Sequence, residues 1–151
     1  EYSITLINRA LELGINFFDN ADSYHDGRSE ERMGKALQGR RQKVILMSKV
    51  GKRDAKGSHE ALERSLRRLR TDYLDIWQLH AVGNIDDLSK VFGPGGALET
   101  AERAKKEGKI RFIGITGHSD PEVLLAAIKR YTFDTVQMPL NVVDPHFKSF
   151  Q

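Results

Sequence analysis

Residues 44–80, VILMSKVGKRDAKGSHEALERSLRRLRTDYLDIWQLH, read as two apolar strands joined by one amphipathic helix. The spacing predicts strands over Val44–Val50 and Tyr73–His80, each four to eight residues long and rich in β-branched and aromatic side chains. Between them Ser58 is expected to open a helix whose buried stripe is Leu62, Leu66 and Leu69. Glu60 with Arg64 and Glu63 with Arg67 form i,i+4 pairs on its wet face. A strand, a helix and a second strand at this spacing make one βαβ unit, the building block of a parallel sheet.

The unit recurs in both directions. Upstream, a helix over about residues 3–13 carries Ile4, Ile7 and Leu11 on one face, stops at Gly14 and leads into a strand from Ile15 to Asp19. Ser29 is placed to cap a helix running to about Gln38, with Glu30 and Glu31 suited to its positive end. Downstream of the loop at Gly93-Pro94-Gly95-Gly96, a helix from Ala97 to Glu107 precedes a strand from Ile110 to Thr116. Asp120 at the N-cap and Pro121 at N1 open a last helix, expected to bury Leu124, Leu125 and Ile128, before a strand from Phe133 to Met138.

Composition excludes several function classes. The 151 residues are 39% hydrophobic and 30% charged, as in an ordinary folded domain, and carry a net charge of +3, too mild to indicate nucleic acid. No apolar run reaches the roughly 18 to 20 residues of a membrane-spanning helix, and no signal-peptide pattern is visible. The expectation is therefore a cytoplasmic protein with no membrane partner. The absence of cysteine removes disulfides, thiolate metal sites and cysteine nucleophiles.

A polar residue stands at or near the carboxyl end of every strand: Asp19, Lys49, His80, Thr116 and Gln137. That is where parallel α/β folds collect their functional groups. Strand alternation puts Lys49 on one face with Met47 and Ile45, and His80 with Gln78 and Ile76, whereas Asp75 and Trp77 point the other way, into structure. Two architectures remain open on this reading. A doubly wound sheet accommodates five strands, although no glycine-rich nucleotide fingerprint follows any of them. A (β/α)8 barrel distributes catalytic groups over successive strand ends, as here, but takes roughly 200 residues or more to close.

Asp19, Tyr24, Lys49 and His80 make a coherent chemical set. A phenol is a poor acid near neutral pH, and an adjacent ammonium favours its ionised form. Asp19 is placed to hold Lys49, Lys49 to supply that charge, His80 to donate a hydrogen bond to a carbonyl oxygen, and Tyr24 to deliver the proton. Taken singly, each is an ordinary turn, strand-end or packing residue; only the ordered set carries weight. Asp19, Asp22, His25 and Asp26 also cluster, but such composition is typical of turns and no metal is expected. Arg64, Arg67, Arg68 and Arg70, with Arg40, Arg41 and Lys43, read as solvated faces rather than a nucleic-acid patch. Lys49 as a Schiff-base nucleophile is a further reading, one that leaves the Tyr and Asp unexplained.

Gly14-Ile15-Asn16-Phe17-Phe18-Asp19-Asn20-Ala21-Asp22-Ser23-Tyr24, followed by Gly27-Arg28-Ser29-Glu30 and Gly34-Lys35-Ala36-Leu37, resembles the first signature of the aldo-keto reductases. Ser48-Lys49-Val50, Asp72-Tyr73-Leu74-Asp75 through His80, and Glu107-Gly108-Lys109-Ile110 through Ile115 extend the resemblance over nearly the whole chain. It implies a (β/α)8 TIM barrel, of which residues 1–151 form an incomplete domain corresponding to strands two to six. It implies NADPH, or NADH, as cofactor, a small-molecule aldehyde or ketone as substrate, and an alcohol as product. Tyr24 then takes the role of proton donor, Lys49 of the cation beside it, Asp19 of that lysine's partner and His80 of carbonyl orienter.

Gln137 corresponds to the glutamine that touches the nicotinamide carboxamide. Where many members hold that carboxamide with Ser-Asn, this chain has Thr116-Gly117-His118, and Thr116 and His118 are the expected substitutes. Asn20 stands where threonine is common. The Gly117-His118 pattern and the closing Asn141-Val142-Val143-Asp144-Pro145 resemble a bacterial branch of the family. The nicotinamide-stacking aromatic and the 2′-phosphate-binding basic residues of the family are expected outside this stretch. The family also contains regulatory members that bind cofactor without significant turnover, as potassium-channel β-subunits do, and that is the alternative reading.

Overall fold

All five apolar segments become parallel strands in the computed structural model, which describes residues 2–141. In chain order the elements are α1 (Tyr2–Glu12), β1 (Phe17–Asp19), α2 (Arg28–Ala36), β2 (Ile45–Val50), α3 (Ala55–Leu69), β3 (Leu74–Leu79), α4 (Ile85–Phe92), α5 (Ala97–Lys106), β4 (Ile110–Thr116), α6 (Pro121–Arg130) and β5 (Thr135–Gln137). A tight non-helical turn lies at Tyr24–Gly27 and a single 3-10 turn at Arg41–Lys43. None of the helices is long and apolar enough to cross a membrane, among the described residues. Of the closing motif, Val142–Pro145 lie outside them.

The sheet order is β1-β2-β3-β4-β5, every pair parallel. A doubly wound sheet reverses direction at a switch point and covers both faces with helices; this sheet does neither. One face, with Phe18, Leu46, Trp77, Leu79, Ile113 and Ile115, packs in one apolar cluster with Leu62, Leu66 and Leu69 of α3, Ala101 of α5 and Val123 of α6. On the other face Phe17, Ile45 and Phe112 remain 47%, 40% and 48% exposed. The sheet also curls, since Gln137 Nε2 on the last strand lies 3.2 Å from Asp19 Oδ2 on the first. A parallel sheet wound in one direction, curled and helix-covered on its outside is an incomplete (β/α) barrel.

Register fixes what the inner face displays. Met47 lies beside Ile76, Lys49 beside Gln78, and Gln78 beside Gly114, which in turn faces Thr135. Gln78 Nε2 donates to Thr135 Oγ1 at 3.1 Å directly over Gly114. A Cβ at Gly114 would overlap both side chains, so this position requires glycine.

Several boundaries differ from the sequence reading. Helix α3 starts at Ala55, capped by Asp54 Oδ1 accepting from Gly57 N at 2.7 Å, while Ser58 lies inside it with its Oγ donating to Lys52 O. Helix α2 starts at Arg28 after Gly27, whose φ of 86° makes the bend, so Ser29 is not its cap. Helix α4 was not expected; Asn84 caps it through Asp87 N at 2.8 Å, and Leu88 and Val91 anchor it. Asp120 does cap α6, through Glu122 N at 2.9 Å, but the buried face is Val123, Leu124 and Ala127, with Leu125 and Ile128 largely exposed. Glu63 pairs with Lys109 across the foot of β4, at 2.7 Å.

Asp75 faces outward, as strand parity requires. Its carboxylate receives Arg41 Nη2 at 2.7 Å, Leu46 N at 2.9 Å and Arg111 Nη1 at 2.8 Å, tying β3 to β2 and β4. Removing one partner of a buried pair leaves the other charge uncompensated, at a cost of roughly 3 to 5 kcal/mol. Asp75→Ala is therefore expected to lower stability by about that amount in urea unfolding; a loss below about 1 kcal/mol would show that Arg41 escapes to water.

Candidate active site

The site begins with a turn that follows β1. Asn20 N donates to Met47 O at 3.0 Å and Asp22 N to Lys49 O at 3.1 Å, so the chain leaving Asp19 runs on alongside β2. It then reverses within Tyr24–Gly27, where His25, Asp26 and Gly27 have φ of 49°, 55° and 86°, three successive residues in the left-handed region. Non-glycine residues occupy that region at a cost that surrounding structure must offset. Part of the support comes from Arg68, whose Nη1 donates to Asp22 O at 3.2 Å and lies 3.4 Å from Glu30 Oε2. Glu30 is fully buried and accepts from Ser48 Oγ at 2.6 Å, next in the chain to Lys49. Gly27 rests on the Arg68 guanidinium, which a Cβ would strike. Burial pushes the Asp22 carboxyl above its ordinary value, against the opposing charges of Arg64, Arg68 and Lys52.

Lys49 is the centre of the arrangement and only 2% exposed. Its Nζ donates to Asp19 Oδ1, to Asn20 O at 2.9 Å and to Tyr24 Oη at 3.2 Å. An ammonium has three N–H donors and no acceptor. All three are therefore committed, and the phenol oxygen of Tyr24, which accepts the third, must direct its own proton elsewhere. The cation also lies 4.9 Å from the centre of the Tyr24 ring, which fixes the ring's position further.

His80 completes the group. Its ring meets that of Tyr24 edge to face, centroids 5.9 Å apart at 79°. Burial holds its imidazole below the ordinary 6.5, helped by the charges of Lys49, Arg53 and His118 and opposed by Asp19. Near pH 7 it is neutral, with one N–H to donate and no charge to compete with Lys49.

These groups border a cleft of about 270 Å³ lined by Tyr24, Lys49, His80, Thr116, Gly117, His118, Gln137, Met138 and Pro139. Seven of the eight residues singled out in the sequence line it, and the eighth, Asp19, lies against Lys49 and Gln137. Thr116 Oγ1 accepts from Ala81 N at 2.7 Å, which leaves its hydroxyl proton free. A larger opening of about 730 Å³, between Arg53, Asp54, Asp86, Ser89, Lys90 and Gly93–Gly95, contains none of these eight residues. Sequence reading missed one contributor, the Asn20 carbonyl that accepts from Lys49 Nζ, because a main-chain oxygen leaves no signature in the sequence.

The depressed basicity of His80 gives a measurable expectation. Followed by proton NMR, the His80 ring should titrate with a midpoint below 6.5, because burial, Lys49, Arg53 and His118 together outweigh Asp19. A midpoint above 6.5 would mean that Asp19 dominates and that His80 is a cation in the working range.

The sequence profile of the Aldo/keto reductase family matches residues 1–149. The uncharacterized oxidoreductase YqkF of Bacillus subtilis is 36% identical over 94% of this chain and 48% of its own length. The holo form of aldo-keto reductase AKR11C1 from Bacillus halodurans superposes with a TM-score of 0.79 and 39% identity, covering 89% of this chain and 47% of that one. An aldo-keto reductase from Klebsiella pneumoniae in complex with NADPH superposes with a TM-score of 0.73 and 36% identity, covering 86% and 43%. The chain thus spans about half the length of the relatives it matches. Profile, relatives and fold agree, and the chain belongs to the aldo/keto reductase family.

Proposed function

We propose that this chain carries the proton-delivery machinery of an NADPH-dependent reductase that converts an aldehyde or ketone to an alcohol. The observation that carries the reading is the complete commitment of Lys49: with its three protons given to Asp19, Asn20 O and Tyr24 Oη, the phenol proton is turned toward the cleft. A carbonyl oxygen entering there meets Tyr24 Oη as proton donor and the neutral His80 imidazole as hydrogen-bond donor. As the proton leaves Tyr24, the phenolate that forms already lies against an ammonium, so no group has to move to stabilise it. Asp19 offsets the charge of Lys49 and holds it in register.

The residues present also fit one end of a nicotinamide. Gln137 donates its Nε2 to Asp19, which leaves Oε1 to accept from a carboxamide, while the free hydroxyl proton of Thr116 suits the carboxamide oxygen. Gly117 and His118 share the same cleft. A reduced nicotinamide, when bound, supplies the hydride that adds to the carbonyl carbon. The NADPH complex of the Klebsiella relative supports this choice of cofactor, and NADH remains compatible with the groups described.

The test uses the protein of the complete reading frame. Tyr24→Phe keeps the ring and removes the proton, and it should slow carbonyl-dependent NADPH oxidation by about 10²- to 10⁴-fold, the range for loss of a general acid. An unchanged rate would overturn the mechanism. Tight NADPH binding with no turnover across a panel of aldehydes and ketones would instead favour the regulatory reading.

A further inference from the structure

The main chain just beyond His80 is held in an unusual way. Ala81 has φ 52°, in the left-handed region that an L side chain disfavours. Nothing about alanine prefers that conformation, so it persists because its surroundings impose it. On one side Thr116 receives Ala81 N on its Oγ1, at 2.7 Å, and Val82 N on its carbonyl, at 2.8 Å. On the other side stands Arg53, from the loop between β2 and α3. Its Nη1 donates to His80 O at 2.9 Å and to Gly51 O at 3.3 Å, and its Nη2 donates to Ala81 O and to Asp87 Oδ2, both at 3.0 Å.

Both ends of this clamp are fixed. The Arg53 carbonyl accepts from Ala97 N at 2.8 Å and Ala55 N donates to Gly95 O at 2.7 Å, which pins the arginine's own backbone to the start of α5. Asp87 belongs to the first turn of α4. The planar guanidinium presents two parallel donors, a geometry suited to two successive carbonyls that a point charge such as lysine cannot reproduce. Holding the two carbonyls fixes the torsions of Ala81 between them, and holding the His80 carbonyl, together with the His80 N–H donated to Val50 O at 2.9 Å, fixes both backbone bonds at the His80 Cα from which the imidazole projects.

We infer that Arg53 is a positioning residue: its fork on the His80 and Ala81 carbonyls, anchored by Asp87, holds Ala81 in the left-handed conformation and thereby aims the His80 imidazole at the carbonyl-binding cleft. The inference rests on the proposed role of His80. Arg53 itself does not line the cleft. Its loss is therefore felt in the orientation of bound substrate and not in cofactor affinity.

The experiment compares wild type, Arg53→Met, Arg53→Lys and the double variant Arg53→Met/Ala81→Gly in the protein of the complete reading frame, with 4-nitrobenzaldehyde and NADPH. Arg53→Met should lower kcat by about 10- to 100-fold, as small misplacements of a catalytic group do. It should leave the NADPH dissociation constant unchanged and shift the NMR resonances of the His80 ring. Arg53→Lys should fall between it and wild type.

Glycine adopts φ 52° without the Cβ penalty, so Ala81→Gly in the Arg53→Met background should recover most of the lost kcat and return the His80 resonances toward wild type. Wild-type kcat and unshifted His80 resonances in Arg53→Met overturn the inference. So does a loss of kcat that accompanies a lowered Tm and that glycine at 81 does not rescue. Should Arg53→Met fail to fold, Asp87→Asn, which loosens the far anchor only, should give a smaller change of the same sign in both readouts, and no change would again refute the clamp. If wild type reduces no aldehyde, the proposed function fails, and the His80 resonances still decide whether Arg53 holds the ring.

Discussion

An ammonium buried to 2% exposure sits at the centre of this molecule, and the neighbouring structure is arranged around keeping it satisfied. An unpaired buried cation would be intolerable, so Lys49 must find an acceptor for each of its protons. The three it has come from a strand end, from the main chain just past that strand and from the turn that follows. None of the three would be in place if β1 were not paired in register with β2, or if the chain after Asp19 did not continue along β2 to Asp22. A requirement of solvation thus fixes the geometry on which the proposed proton delivery rests: the same contacts that neutralise Lys49 bring a phenol oxygen against it as acceptor.

The fold supplies the rest by winding in one direction. Because the strands follow one another in chain order and the sheet curls, residues separated by a whole βα unit arrive side by side at the carboxyl edge, and the first and last strands touch through Asp19 and Gln137. Three arginines take a recurring part in this frame, each donating to main-chain carbonyls. Arg41 ties the outer face of β2 to β3, Arg68 carries the turn bearing Tyr24, and Arg53 spans the loops after β2 and β3. The basic composition that could have suggested a nucleic-acid surface is in part this internal scaffolding, with Arg41 itself buried.

Much of this was legible in the residues. The strand Ile110–Thr116 is bounded by Gly108 and Gly117 and coincides with β4, and Asp120-Pro121 marks the start of α6 because a capping carboxylate and a proline at N1 admit few other readings. The set Asp19, Tyr24, Lys49 and His80 was visible because each lies at or just after a strand end. Helix α4 escaped because two turns punctuated by Asp86, Asp87, Ser89 and Lys90 look like loop, its anchoring reduced to Leu88 and Val91. The start of α3 was misjudged because Ser58 and Asp54 are both good caps, and only the tertiary position of the loop selects Asp54. The face of α6 was misjudged because Leu125 and Ile128 are more apolar than Ala127, yet the residues that bury are Val123, Leu124 and Ala127. Arg53 left no pattern at all, since carbonyl oxygens are present at every residue and carry no signature of the one that will be held.

The acceptor that Asn20 offers Lys49 is its backbone oxygen, while its side chain turns back to receive Ala21 N at 3.0 Å. A ligand furnished by the peptide unit survives any substitution that preserves the local path of the chain. Exchanging the residue beside the aspartate therefore leaves the acceptor of the cation in place, and the asparagine that stands here, where the family resemblance makes threonine common, offers Lys49 the same main-chain oxygen that a threonine would.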